Sequence, residues 1–118
     1  MEGQRYTEHD WKLFRAKIAD WQEGYMERLN REYIELLSGD GNASDKFWEL
    51  EKRIREDKRK AGVIVDMRRS VLIDNILRLL AEGAIELSDL DEFSDGVKDT
   101  ARFFLEYNRE DTPETSDL

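Results

Sequence analysis

The stretch Thr7–Gly39, TEHDWKLFRAKIADWQEGYMERLNREYIELLSG, decides the fold. Its large apolar residues recur in steps of three or four, and at about 100° per residue they fall within roughly 120° of a helical wheel. This spacing predicts one long helix over about residues 8–38. Five of the eight residues on the apolar face are aromatic: Trp11, Phe14, Ile18, Trp21, Tyr25, Leu29, Tyr33 and Leu36.

The predicted ends of this helix carry capping signals. Thr7 with Asp10 forms a short capping box, and Ser38-Gly39 is typical of a glycine C-cap. At about 1.5 Å per residue the helix is ~45 Å long, much longer than the other predicted helices. Either short C-terminal helices stack along it, or its overhang packs on a second copy of the chain. In the second case the candidate dimer seam is Trp11, Phe14 and Trp21.

The rest of the chain predicts further helices and no strand pairs. We expect helices over about 43–60 and 66–82, followed by short helices over about 89–93 and 95–107. The core face of the second helix is predicted at Phe47, Leu50, Ile54 and Ala61. Ala61-Gly62 is a helix stop, although the pattern also allows one helix to continue through Gly62. The predicted fold is an all-α helical bundle.

Length and composition indicate one domain. A chain of 118 residues can bury a core of its own without disulfide bonds or structural metal ions, and it contains no Cys. We expect a disordered N-terminus at 1–6, a single domain at 7–108 and a disordered acidic tail at 109–118. The sequence has neither a signal-peptide pattern nor an apolar run of about 18 residues, so a cytoplasmic location without membrane contact is expected.

Charge is distributed unevenly along the chain. The protein has 28 acidic and 19 basic residues, a net charge of −9, and residues 82–118 alone hold 12 acids and 3 bases. This asymmetry indicates either an acidic interaction surface or a charge that serves solubility. The candidate acidic face consists of Glu86, Asp89, Asp91, Glu92, Asp95 and Asp99.

A basic stripe with a tryptophan at its head is predicted on the second helix. It suggests a surface for phosphates or an acidic partner, or else a solvated face diluted by interleaved glutamates. Arg68 and Arg69 lie near this stripe in sequence, but the wheel of the third helix, extended backward, places them on its apolar side. Either they lie outside a helix capped at Ser70, or they pair with acids of the last third of the chain. The candidate basic face is Trp48, Lys52, Arg55, Arg59, Arg68 and Arg69.

Catalytic and metal-binding patterns are weak. The only histidine is His9, so a hydrolytic triad is excluded by count. Asp40, Asn42, Ser44 and Glu51 match four positions of a calcium-binding EF-hand loop, but Asp45 stands where that loop needs glycine. We therefore expect no enzyme activity, no catalytic residue, no cofactor and no metal.

Two stretches, EHDWKLFR at residues 8–15 and SGDGNASDKFWELE at residues 38–51, resemble a group of small proteins from gut Firmicutes and their mobile elements. The resemblance covers roughly residues 7–107. Automated labels sometimes call that group multidrug transporters, which conflicts with the lack of a membrane-spanning stretch here. The group has no established activity, so the resemblance implies a bacterial, mobile-element origin and no site residues.

The function hypothesis is a non-enzymatic protein interaction module that regulates or inhibits a partner protein through the acidic face. In a mobile-element protein, such a face would occupy the nucleic-acid channel of a host enzyme. The alternative is a helical protein that binds nucleic acid through the basic face. Expected partners are thus an unidentified protein, a second copy of the chain or, less favoured, nucleic acid.

Overall fold

The computed structural model describes residues 6–110, with side chains for residues 6–108. Every regular element in that range is helical, which confirms the predicted all-α fold. The elements are α1 (Glu8–Ser38), α2 (Ala43–Asp57), a first 3-10 helix (Arg69–Val71), α3 (Leu72–Ala81), a second 3-10 helix (Leu87–Leu90) and α4 (Asp95–Glu110).

The first helix has its predicted bounds because both signals at its N-terminus are used. The Asp10 amide donates to Thr7 Oγ1 over 3.1 Å, and the Thr7 amide donates to Asp10 Oδ2 over 2.8 Å. These reciprocal bonds complete the predicted capping box. At the other end Gly39 is an ordinary extended cap, and the residue with a left-handed φ, +132°, is Gly41 in the turn.

The segment between α2 and α3 is not helical, so both helices are shorter than predicted. The Glu82 carboxylate accepts hydrogen bonds from the amides of Ala61 (2.9 Å) and Gly62 (3.0 Å), which a continuing helix would direct to its own carbonyls. α2 therefore ends at Asp57 rather than near residue 60. α3 begins at Leu72 rather than near residue 66, and no helix continues through Gly62.

The C-terminal part also differs in detail from the sequence expectation. In place of a helix at 89–93 there is the second 3-10 helix, and α4 is a full 16-residue helix that extends to Glu110. The first two residues of the predicted 109–118 tail are thus helical. Of the other predicted disordered residues, 1–5 and 111–118 lie outside the described range, while Tyr6 packs against the core.

The core lies between the N-terminal half of α1 and the elements that follow α2. Burial of a large apolar side chain contributes roughly 1.5–3 kcal/mol, so this cluster supplies most of the favourable free energy of folding. Its large members, each less than a tenth exposed, are Trp11, Phe14, Ile18, Leu72, Ile76, Leu79, Leu80, Ile85, Leu90, Phe93 and Val97.

The predicted dimer seam belongs to this core and is therefore wrong. Trp11 is 7% exposed and Phe14 is fully buried. Trp21 is half-buried and stacks on Phe93, with ring centroids 6.2 Å apart. The C-terminal elements of the same chain cover these three side chains, as in the first of the two arrangements that the helix length allowed.

The C-terminal half of α1 and α2 form a hairpin, residues 26–58, that projects from the core. Beyond Leu29, no large apolar residue of the hairpin is buried in the described structure. The predicted core face of α2 is mostly uncovered, since Phe47 is 60% and Ile54 38% exposed. The radius of gyration is 17.2 Å, whereas about 13 Å is expected for a compact domain of this size. The hairpin is thus two helices without a third covering layer.

Gly62 provides a test of how the segment after α2 packs against α1. A Cβ at this position would lie 2.2 Å from the Tyr25 ring, so we expect Gly62→Ala to lower the free energy of unfolding by about 1–3 kcal/mol. A Cβ at Gly24 meets nothing within 4 Å. Gly24→Ala should therefore raise the free energy of unfolding by up to about 1 kcal/mol. Urea unfolding of both variants gives the comparison, and equal effects would contradict the packing described here.

Candidate functional site

The six predicted acidic residues all have exposed side chains around the second 3-10 helix and the start of α4. Three of them line one groove of about 290 Å³, whose remaining walls come from α1 and the second 3-10 helix. We call this the acidic groove; its lining residues are Lys17, Trp21, Ser88, Asp89, Asp91 and Glu92. The structure thus brings together half of the predicted set and leaves Glu86, Asp95 and Asp99 outside the groove.

Some of these carboxylates have local structural roles. The Glu86 amide donates to Asp89 Oδ2 over 2.8 Å, which caps the second 3-10 helix and fixes the orientation of Asp89. Asp95 lies in the first turn of α4, where the helix dipole favours a negative charge. Asp99 is paired with Arg102 at 2.7 Å.

Inside the acidic groove the negative charge is only partly compensated. Lys17 Nζ lies 3.5 Å from Glu92 Oε1, an exposed pair of the kind worth less than about 1 kcal/mol. Lys98 donates to the backbone carbonyl of Asp91 over 3.3 Å and so leaves the Asp91 carboxylate free. Within the described residues that carboxylate has neither a hydrogen bond nor an ion pair.

Trp21 gives the acidic groove a rigid aromatic wall. Its ring stacks on Phe93 and meets Phe14 edge-on, with centroids 6.2 and 6.1 Å away. A cation is attracted both to an indole face and to carboxylates. The combination of Trp21 with Asp91 and Glu92 is therefore suited to a lysine or arginine side chain, and Lys17 already lies in this environment.

A buried carboxylate of α1 fixes the segment that carries the acidic residues. Asp10 is fully buried, and its Oδ1 accepts from the Ser94 amide over 2.8 Å. Its Oδ2 accepts from the Ser94 hydroxyl over 2.6 Å and from the Thr7 amide over 2.8 Å. Ser94 Oγ in turn accepts from the Val97 amide, so a single carboxylate links the first turns of α1 and α4.

The hydrogen bonds of Asp10 outweigh the effect of its burial. Burial favours the neutral carboxyl and would raise its pKa, but the bonds from Ser94 and Thr7 favour the carboxylate, and the pKa of Asp10 is lowered overall. Because the pKa in the folded state lies below that in the unfolded state, the charged form stabilises the fold. This contribution is complete above the unfolded pKa of about 3.9 and is lost as the pH falls through the lower folded pKa.

The predicted basic face does not form one surface. Trp48, Lys52 and Arg55 share an exposed side of α2, and Trp48 is 63% exposed. Arg55, however, forms an ion pair with Glu51 of the same helix. Arg59 lies after the end of α2, where its carbonyl accepts from Arg78 over 2.8 Å.

Arg68 and Arg69 lie apart from that side of α2. Both precede α3 and are exposed, so neither lies on the apolar side of that helix. Arg68 donates from Nε to Asp66 over 2.8 Å. Arg69 donates to Glu8 over 2.9 Å and lies over the Trp11 ring, at the N-terminal end of α1. Their partners are therefore not acids of the last third of the chain.

A second groove, which the sequence did not suggest, lies between α1 and α2. This hairpin groove has a volume of about 290 Å³ and mostly apolar walls. It is lined by Met26, Leu29, Asn30, Tyr33, Ile54, Asp57, Lys58 and Val63. At helical spacing the same faces continue toward the tip of the hairpin through Leu37 and Phe47.

A polar contact joins the two helices beneath the hairpin groove. The Tyr33 hydroxyl donates to the buried Asp57 carboxylate over 2.5 Å, and Lys60 Nζ lies 3.3 Å from the same carboxylate. Burial first, and then the hydrogen bond to Asp57, raise the pKa of Tyr33 to about 12. Tyr33 is therefore a neutral donor at physiological pH, and its role is structural.

The loop with partial EF-hand spacing does not have the required backbone. α2 begins at Ala43, so Ser44 is helical and does not point into a ligand-binding loop. Lys46 Nζ lies at the loop and donates to the Leu37 carbonyl over 3.1 Å. Across the described residues, no group of three or more His, Asp or Glu side chains is arranged to hold a metal ion.

Sequence reasoning missed three contributors to these sites: Lys17 and Trp21 in the acidic groove, and the second role of Asp10. Trp21 was assigned to the apolar face of α1, with no signal that it also lines a groove with the acids. Asp10 was recognised as part of a capping box, but its bond to Ser94 spans 84 residues and has no local pattern.

Comparisons with protein-family models, curated proteins and solved structures found no match to this chain. None of the described helices combines the length and apolar character needed to cross a membrane. Functional inference therefore depends on the geometry of the two grooves.

Asp10→Asn tests the carboxylate that links α1 and α4. An amide has one acceptor oxygen, so its NH2 group would face a donor that the second carboxylate oxygen now satisfies. We therefore expect the free energy of unfolding at neutral pH to fall by about 1–3 kcal/mol. The difference in free energy of unfolding between the variant and the unsubstituted protein should shrink below about pH 4, where protonation removes the stabilising charge of the Asp10 carboxylate. Chemical denaturation at a series of pH values measures both effects.

Asp20→Asn is the matched control for this substitution, because Asp20 is exposed on the same helix. Its effect should stay within about 0.5 kcal/mol at every pH. If Asp10→Asn had the same small effect and the same pH profile as Asp20→Asn, the proposed contribution of Asp10 would be excluded.

Proposed function

We propose that this protein is a non-enzymatic interaction module that binds a basic segment of a partner protein in the acidic groove. The observation that carries the proposal is the convergence of Asp91 and Glu92 on the fixed ring of Trp21. A lysine or arginine of the partner would replace Lys17 beside Glu92 and place its cation against the indole ring. The Asp91 carboxylate supplies a second acceptor for the same segment.

The charge around the acidic groove supports this choice of partner. Residues 82–108 contain eight acids and two bases, and the exposed acids outside the groove lie on the adjoining turns. Such a field raises the rate of encounter with a basic protein and disfavours acidic ones. Long-range attraction and the contacts within the groove therefore select the same class of partner.

Binding of this kind would regulate the partner by competition. Basic protein surfaces commonly serve to bind nucleic acid. An acidic module that occupies such a surface excludes the nucleic acid, which makes inhibition of a nucleic-acid-binding protein the favoured role. A mobile-element accessory role and a cytoplasmic location, expected from the sequence, belong to this same proposal.

The alternative, direct binding of nucleic acid, has less support. Arg55, Arg68 and Arg69 each form an ion pair with a nearby acid. Arg69 also lies at the other end of α1 from the segment of α2 that carries Trp48. A phosphate backbone would have to break these pairs one by one.

The test is binding of a fluorescent oligo-arginine peptide, followed by anisotropy at several salt concentrations. We expect binding at low salt that weakens as the salt concentration rises. Asp91→Asn with Glu92→Gln should raise Kd by about tenfold, since each substitution removes a charged acceptor worth roughly 0.5–1 kcal/mol at an exposed site. Asp91 is the C-cap of the second 3-10 helix through its backbone alone, and neither side chain makes a capping bond, so the fold should be unaffected.

Glu35→Gln with Glu49→Gln is the matched control, because it removes the same charge from exposed positions on the hairpin. Its Kd should change by less than about threefold. Equal losses in the two double variants would mean that only net charge matters and would refute the acidic groove. Absence of peptide binding at low salt would refute the proposed function itself.

A further inference from the structure

The hairpin exposes a continuous apolar strip beside the hairpin groove. Ile34 is 62%, Leu37 45% and Phe47 60% exposed, and Ile54 on the groove wall is 38% exposed. Single exposed apolar residues are normal, whereas contiguous apolar patches mark interfaces. The described body of the protein places no third element over the strip, so the question is what covers it.

Net charge favours a partner that resembles the hairpin itself. Residues 26–58 contain nine acids and seven bases, a net charge of −2, whereas residues 82–118, a segment of similar length, contain 12 acids and three bases, a net charge of −9. The hairpin is therefore close to neutral in a strongly acidic protein. A second hairpin therefore meets little repulsion at this surface, and a highly charged partner gains no attraction there.

The two rims of the hairpin groove carry charges of opposite sign. On the helical wheel of α1, Glu23 and Glu27 lie on the open side, next to the groove residue Met26. Glu27 lies 3.6 Å from Arg31, an exposed pair of the kind worth less than about 1 kcal/mol, so it can exchange this partner for another cation.

On α2 the corresponding open side carries Arg55, whose charge is compensated by its ion pair with Glu51. The basic charge of this rim is therefore that of Lys58, which lines the groove directly beyond the end of the helix. Lys58 shares the groove with Met26 and Asn30, so the basic rim lies at the same height along the hairpin as Glu27.

We propose that a second copy of this chain covers the hairpin groove, so that two hairpins form a four-helix bundle. With the two-fold axis along the hairpin, α1 of each copy faces α2 of the other. Glu27 then lies opposite Lys58 of the partner subunit, and the apolar strips meet between them. A two-fold axis across the hairpin would instead set the acidic rims of the two α1 helices against each other, which costs free energy.

This dimer differs from the one expected at Trp11, Phe14 and Trp21, since it uses the opposite end of α1. It is also independent of the proposed function, because the acidic groove contributes nothing to it. Each dimer would present two acidic grooves, which would raise the avidity for a partner with repeated basic segments.

The experiment is sedimentation equilibrium of the full chain from micromolar to submillimolar concentration. We expect twice the monomer mass at the upper end. Ile34→Glu and Phe47→Glu place a charge in the apolar strip and should each weaken dimerisation at least about a hundredfold, to a monomer at these concentrations. Phe103→Glu is the matched control, since Phe103 is 71% exposed on α4, away from the groove, and this variant should stay dimeric.

A charge exchange tests the pairing of the rims. Glu27→Lys sets two cations against each other and should weaken dimerisation by roughly tenfold over the two symmetric pairs. Adding Lys58→Glu in the same chain restores opposite charges and should recover most of the affinity. Circular dichroism of each variant confirms that the exposed substitutions leave the fold intact.

Three outcomes would overturn the proposal. A wild-type chain that is monomeric at every concentration excludes a second copy and leaves the groove to a helix of a different protein. A dimer that persists in Ile34→Glu and Phe47→Glu places the interface elsewhere. A double charge exchange that binds no better than Glu27→Lys excludes the pairing of α1 with α2. None of these results affects peptide binding at the acidic groove, so the two proposals fail separately.

Discussion

The aromatic face of α1 is longer than the rest of the chain can cover. α1 has 31 residues, about 46 Å at 1.5 Å per residue, whereas α3 has 10 and α4 has 16. The C-terminal elements therefore pack on the first half of α1, where Phe14 is fully buried, and end before Tyr33. The chain therefore has two regions: a body with a buried aromatic core, and a hairpin with one side uncovered.

The body is held in register by carboxylates that bond to distant backbone amides. Asp10 joins the first turns of α1 and α4, and Glu82 holds the amides of Ala61 and Gly62. Each carboxylate satisfies donors that a helix end or a tight turn would otherwise leave unpaired. The Gly62 backbone can then approach the Tyr25 ring closely, which brings the chain from the hairpin back to the core.

The features predicted correctly depend on interactions between residues close in sequence, and the features that were missed depend on contacts between distant residues. The α1 bounds, the Thr7 capping box and the buried face through Leu29 were predicted correctly because spacing and caps are local. The break after Asp57 was misplaced because Glu82 creates it from 20 or more residues away. The acids of the second 3-10 helix were identified by charge alone. Their proximity to Trp21 was not predictable, because it depends on how the body packs.

The exposure of Phe47 has the same kind of explanation. Periodicity identifies the apolar face of α2 correctly, but it does not specify what covers that face. Three polar contacts join α2 to α1 beside the half-buried Leu36 and Leu50. Arg53 donates to Glu32 over 2.7 Å, Tyr33 to Asp57 over 2.5 Å, and Lys46 to the Leu37 carbonyl over 3.1 Å.

Because these polar groups and the half-buried apolar side chains already join the two helices, the exposed Ile34 and Phe47 are not needed for that contact. A hairpin joined through its apolar face would bury Phe47 and Ile54 and leave charge outside, as the sequence suggested. Here Tyr33 and Asp57 meet between the helices, the Arg53–Glu32 pair is partly exposed, and the apolar strip faces outward. In the isolated chain the strip stays in contact with water and its burial contributes nothing to stability. That favourable free energy is gained when a second apolar face covers the strip.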